Sequence, residues 1–223
     1  RRQRQMCIRD SILTRGRGES PARGERPYSH FMRAGLSALR GMWILAAAMA
    51  LVAFANPAFT LTWAPRAESL GAPVWSLGVL GSALFAAVGL SQYLGGELSR
   101  RLGEKRTAVL GAVVQASSMG LAALAPDPPS FALAALPFEV GLGIRSPATS
   151  AWVARAAPSE ERATVISLVR TVALSFGALG MGAVGVAADW LGVEWALALG
   201  ACAMAGAAVA LSRAREVTPS WPS

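Results

Sequence analysis

Two long apolar runs, residues 74–94 and 107–125, contain no charged side chain and are joined by a short basic stretch. At ~1.5 Å of helical rise per residue, each run crosses most or all of a ~30 Å hydrocarbon layer. The connection between them holds Arg100, Arg101, Lys105 and Arg106. Four cations in so short a segment resist transfer across a bilayer, so this connection is expected on the cytoplasmic side. That assignment orients every other segment.

Apolar segments recur along the chain, rich in alanine and glycine, and predict an all-α, polytopic membrane fold. Six spans are expected at residues 36–55, 74–94, 107–125, 131–153, 164–186 and 193–211. They must be helices, because lipid offers no partner to a free N–H or C=O. Asn56-Pro57 is read as the end of the first span. The inside connections then hold the four cations above, Arg155 and Arg162, and Arg213 and Arg215, whereas the outside ones hold only Arg66. This bias places both ends of the six-span bundle, residues 36–212, in the cytoplasm of a cell (inner) membrane. Gly78, Ser82 and Ala86 in the second span, and Ala173 with Gly177 and Ala178 with Gly182 in the fifth, are spaced for close helix packing.

Outside the bundle the chain is polar. Residues 213–223 read as a cytoplasmic tail, and residues 12–35, with arginine among Gly, Ser and Pro, as a flexible cytoplasmic linker. The basic linker needs no nucleic-acid partner, since the positive-inside bias accounts for it. Residues 1–11, beginning RRQRQMCIRD, back-translate into a transposase-type sequencing adapter and are set aside as read-through. They carry +3 of the formal +8, and one of the two cysteines; Cys202 is left alone, so no disulfide framework is expected.

The fourth span carries the chemistry. It holds Glu139 and Arg145 together with Pro137 and Pro147. An ionisable group at the helix centre costs at least ~2.5 kcal/mol, so each is expected to face a cavity or a partner. Phe138, Arg145, Thr149 and Trp152 share one helical face, and Glu139, Ser146 and Ser150 a neighbouring one. Glu139 and Arg145 stand about 120° apart and do not pair directly. Arg145 suits a substrate anion or a buried acid, or snorkels to the cytoplasmic face; Arg170, two turns into the fifth span, has the same two readings. Tyr93 reads as an interfacial anchor. Enzymatic function is not expected: the sole histidine, His30, lies in the polar linker, so no span supplies a Ser–His pair or a His-Glu-x-x-His helix, and no metal or cofactor is implied.

Two connections resemble the major facilitator superfamily. Its loop motif runs glycine, three residues, aspartate, arginine, any residue, glycine, arginine, arginine; Gly96, Arg101, Gly103, Lys105 and Arg106 fit it. Arg100 stands where the family has aspartate, Glu104 at a usual arginine, and Glu97 offers an acid one turn away. The simpler reading of this loop is an inside anchor. The second connection resembles the family's Pro-x-Glu-x-Arg-Ala/Gly pattern through Pro158, Glu160, Arg162 and Ala163. It is also a plain helix start, with Ser159 as N-cap.

The resemblance implies the C-terminal six-helix half of a twelve-helix transporter, entered through its central linker, with the N-terminal half missing. It implies a substrate pathway lined by the first and fourth spans, hence Trp43, Asn56, Glu139, Arg145 and Thr149 as candidates, with Glu139 as a proton-coupled carboxylate. The implied activity is secondary transport of a small molecule, with proton-coupled efflux of the drug or metabolite exporter type. A non-transporting membrane scaffold and a dimerising half-transporter are the alternatives.

Overall fold

The computed structural model describes residues 37, 40–159 and 161–215. The expectations for residues 1–11 and 12–35, for His30, for Glu160 and for residues 216–223 lie outside them. The described residues form seven helices: α1 (Trp43–Thr60), α2 (Trp63–Ser69), α3 (Val74–Leu102), α4 (Glu104–Leu124), α5 (Pro128–Ala156), α6 (Arg162–Leu191) and α7 (Val193–Arg213). All but the short α2 are long. Five segments are long and apolar enough to cross a membrane, α1 and α2 counting as one; α5, with its two internal charges, falls below that hydropathy.

The helices overrun the expected spans, because hydropathy marks the lipid-facing length and not the hydrogen-bonded length. α3 continues past residue 94 through Arg100 and Arg101, and α4 takes up Lys105 and Arg106, so all of the basic stretch except Gly103 is helix. α1 does not stop at Asn56-Pro57: Pro57 lies inside it, and the helix runs to Thr60. A proline there removes the N–H that would have bonded to Ala53 O. The first span is instead continued by α2, whose N-cap Thr62 is tied back to α1 by its hydroxyl donating to Ala58 O.

The turns are economical. Gly103 alone separates α3 from α4, and Gly192 alone separates α6 from α7, at φ of 85° and 100°. Both values favour glycine, which has no Cβ to clash. α5 starts at Asp127, whose carboxylate accepts from Ser130 N at 2.8 Å in a capping box, with Pro128 in the first turn. α6 starts at Arg162 with Glu161 as N-cap and no side-chain cap bond, so the Ser159 cap is not formed.

Packing is symmetric in an inverted sense. The first three long helices (α1, α3, α4) and the last three (α5, α6, α7) run in opposite directions. Each triple gives its first helix to the other: α1 packs on α6 and α7, and α5 packs on α3 and α4. α4 and α7 join the two groups. α1 and α5 also meet where the Phe59 and Phe138 rings stack, centroids 3.9 Å apart and both fully buried.

Apart from Gly177, the close approaches use glycines other than those the sequence spacing singled out. A Cβ on Gly95 would lie 2.7 Å from Gly143 O, and Gly111 and Gly141 press together at the α4–α5 crossing. Gly78, Gly182 and the exposed Ala178 touch nothing across a helix interface, whereas Gly180 and Gly177 of α6 pack against the α1 backbone. α3 and α6 are therefore edge helices. Only 11% of the most apolar stretch of each is buried, against 39% to 50% for the other three candidate spans.

Candidate functional site

The alternation of helices collects Arg100, Arg101, Lys105, Arg106, Arg155, Arg162 and Arg213 at one end of the bundle, and Arg66, Asp127, Asp189 and Glu194 at the other. At the basic end the family-like loop is a network of side chains. Glu97 accepts from both Arg100 and Arg101, the latter at 2.6 Å. Glu104, the residue at the motif's usual arginine, pairs with Arg155 at the end of α5. The α3–α4 connection is thus tied to the end of α5 by an ion pair that the spacing of the sequence did not show. Gly96 has open space around it, and Pro158 and Arg162 are exposed or nearly so.

Exposed tryptophans mark the opposite end: Trp75 on α3, Trp190 on α6 and Trp195 on α7. Together with Tyr93 and Trp43 toward the basic end, both exposed, they form the two aromatic levels expected at the faces of a bilayer. Arg66, the single cation at this end among the described residues, donates to Ala123 O and Ala125 O, both at 3.2 Å, and to Glu194 at 3.4 Å. It thereby closes the carbonyl end of α4 against the start of α7.

Between these ends lies the charged centre of α5. Arg145 is buried, 4% exposed, and donates from Nε to Gln115 Oε1 of α4 at 2.7 Å. It does not snorkel. Gln115 is fully buried, and its amide Nε2 has no partner among the described residues. Gly111 and Gly141 make this contact possible: a Cβ on either would sit 2.6 Å from the carbonyl oxygen of the other. Thr149 is buried one turn on and donates to Arg145 O and Ser146 O, each at 3.1 Å.

Glu139 lies on a different side of α5, half-buried toward α3, where Ser91 Oγ reaches its main-chain oxygen at 3.4 Å. Among the described residues no ion pair joins it to Arg145. Asn56 is half-buried on α1, with Oδ1 buried and without a partner among the described residues. Trp43 and Arg170 are exposed, on α1 and α6. So α5 and α4 bring Arg145, Thr149 and Gln115 together, while Glu139, Asn56, Trp43 and Arg170 stand apart from that group. Gln115 escaped the sequence reading. Its one signal was being the sole amide in an otherwise apolar and hydroxyl-bearing run, residues 107–125.

A family model described as the major facilitator superfamily matches residues 42–223. The chain belongs to the major facilitator superfamily. It is therefore a multi-pass membrane protein of a transporter family. Its fold is similar to that of the inward-open xylose transporter XylE from E. coli, with a TM-score of 0.53 and 19% identity. The match covers 85% of this chain and 48% of that one, so the chain spans about half the length of the solved transporter. No curated protein matches it in sequence.

Proposed function

We propose that this chain is the C-terminal six-helix half of a secondary transporter that moves a small molecule across the inner membrane, by proton-coupled efflux. The observation that carries the half-transporter reading is the bareness of α3 and α6. Six long helices fold into one symmetric bundle, yet its two edge helices leave nearly all of their apolar stretch unburied. A related six-helix bundle laid against them supplies the second wall of a pathway, as in other two-bundle transporters that rock about a mid-membrane site.

In this reading α1 and α5 line the pathway. Arg145 and Thr149 form its buried polar group, Asn56 and Glu139 stand on its flanks, and Trp43 and Arg170 sit toward its mouth. Glu139 is the carboxylate assigned to the proton, because it is half-buried and free of any cation among the described residues. The residues of the basic loop act as the cytoplasmic latch through Glu104 and Arg155. Efflux rests on a general likeness to exporters, and the basic end is assigned to the cytoplasm by its charge.

The test is flux through proteoliposomes holding the complete reading frame, driven by an imposed pH gradient. Glu139→Gln is expected to uncouple movement from the gradient, and Arg145→Ala to abolish it. Transport that continues unchanged in both variants removes both assignments. Robust transport by the 223-residue chain alone makes it a dimerising half-transporter instead.

A further inference from the structure

Arg145 is a buried cation whose guanidinium has a neutral amide as its only hydrogen-bonding partner among the described residues. The ion pairs of the described residues are Arg66–Glu194, Glu97 with Arg100 and Arg101, and Glu104–Arg155, and Arg145 is in none of them. Its depth makes this costly. Gln115 lies eleven residues into α4 from the basic end, and Arg145 eleven residues short of the end of α5. Both are about 16 Å from that end, near mid-height of the bundle. A buried charge with no counter-charge is destabilising, and proteins keep one there for a partner that arrives from elsewhere.

The contact with Gln115 decides the shape of that partner. A guanidinium offers a side edge, made by Nε and one Nη, and an end edge, made by both Nη atoms. Gln115 occupies Nε. The end edge is left, two parallel N–H bonds at the spacing of a carboxylate's oxygens. Gln115 also holds the guanidinium without neutralising it, which a glutamate at the same position would do. Its own Nε2, buried and unpartnered, is a further donor beside the same guanidinium.

We propose that Gln115 is a positioning residue that presents Arg145 end-on to the carboxylate of an organic anion, and that this anion is the transported substrate class. The proposal rests on the transporter reading for the word transported, but not for the binding. A merely structural Gln115–Arg145 link would tie α4 to α5 and have no preference among solutes.

The experiment uses the complete reading frame purified in detergent, with benzoate as probe, benzamide as its uncharged counterpart and inorganic phosphate as a second anion. Benzoate is expected to raise the unfolding midpoint of the wild type, benzamide not to, and phosphate to do so weakly. Gln115→Glu places a carboxylate within the pair. It is expected to raise the unliganded midpoint and to weaken benzoate binding at least about tenfold. Should that variant not fold, Gln115→Leu is expected to lose the discrimination between benzoate and benzamide. The proposal is overturned if benzoate fails to shift the wild type, if phosphate alone shifts it, or if Gln115→Glu binds benzoate as the wild type does. Benzoate binding with no flux of any probe in liposomes sinks the transporter reading and leaves the anion site standing.

Discussion

Gly111 and Gly141 show how much of this molecule turns on single hydrogen atoms. Each Cα passes so close to the opposite carbonyl that a methyl group would sit 2.6 Å from it. Both obstacles are backbone, so neither rotates away. Gly111→Val and Gly141→Val are each expected to lower stability by about 1–3 kcal/mol, read as a drop in the unfolding midpoint in detergent. Gly120, where a Cβ would meet nothing within 4 Å, is the control: Gly120→Ala is expected to leave the midpoint unchanged or slightly raised, because alanine favours a helix. Equal midpoints for all three would mean that the α4–α5 crossing has room for a side chain. Arg66 is a second single-residue hinge of the fold. It serves two helix-end carbonyls and one carboxylate at once, and Arg66→Met is expected to cost about 1–3 kcal/mol. A lysine, a single point charge without the planar fork, is expected to recover only part of that loss.

At the scale of elements the question is what joins helices that lipid alone would not drive together. Glu104 at the start of α4 and Arg155 at the end of α5 make one such tie. Glu104 is 13% exposed and Arg155 60%, so water weakens the pair and its coupling is expected at about 0.5–1 kcal/mol. Glu104→Arg and Arg155→Glu are each expected to destabilise, and the double reversal to recover most of the loss, as measured by a double-mutant cycle on the unfolding midpoint. Strictly additive losses would mean that the pair does not couple. This pair was invisible in the sequence because its partners are far apart along the chain and belong to different connections. The Gln115–Arg145 bond was invisible for the same reason. By contrast, the existence and order of the long helices were legible, because bilayer thickness fixes the length of each apolar run. Helix ends were not legible. Polar extensions such as the last turns of α3 hydrogen-bond internally whatever their hydropathy, and Pro57 is accommodated within α1 when a residue count alone suggests a break. Nor was the choice of packing glycine: a spacing of four marks a face that can pack, and only the crossing of α3 over α5 selects Gly95 from the candidates on its helix.

For the whole molecule, the half-transporter proposal rests on the arrangement of buried and bare surface. A six-helix bundle that was finished would hide its small-residue faces, where backbones meet most closely, and leave bulky side chains to lipid. Here Gly78, Ser82 and Ala86 on α3 and Ala178 and Gly182 on α6 are bare, while α4, α5 and α7 supply much of the core. Those faces carry no charge that would repel a second bundle, and they belong to the two helices that hold least of their length inside. On that proposal the 223-residue chain is expected to insert in liposomes without moving solute, and to gain flux only when co-expressed with a partner six-helix half. Cysteine pairs give the check: Ser82→Cys or Gly182→Cys is expected to form a disulfide with single cysteines placed along that partner half, and not with Val109→Cys on α4, which faces this chain's own core. Cross-links from Ser82→Cys to a second copy of the same chain, together with flux by the chain alone, would instead describe a symmetric dimer of halves, and the bare faces of α3 and α6 would then be covered by each other's counterparts.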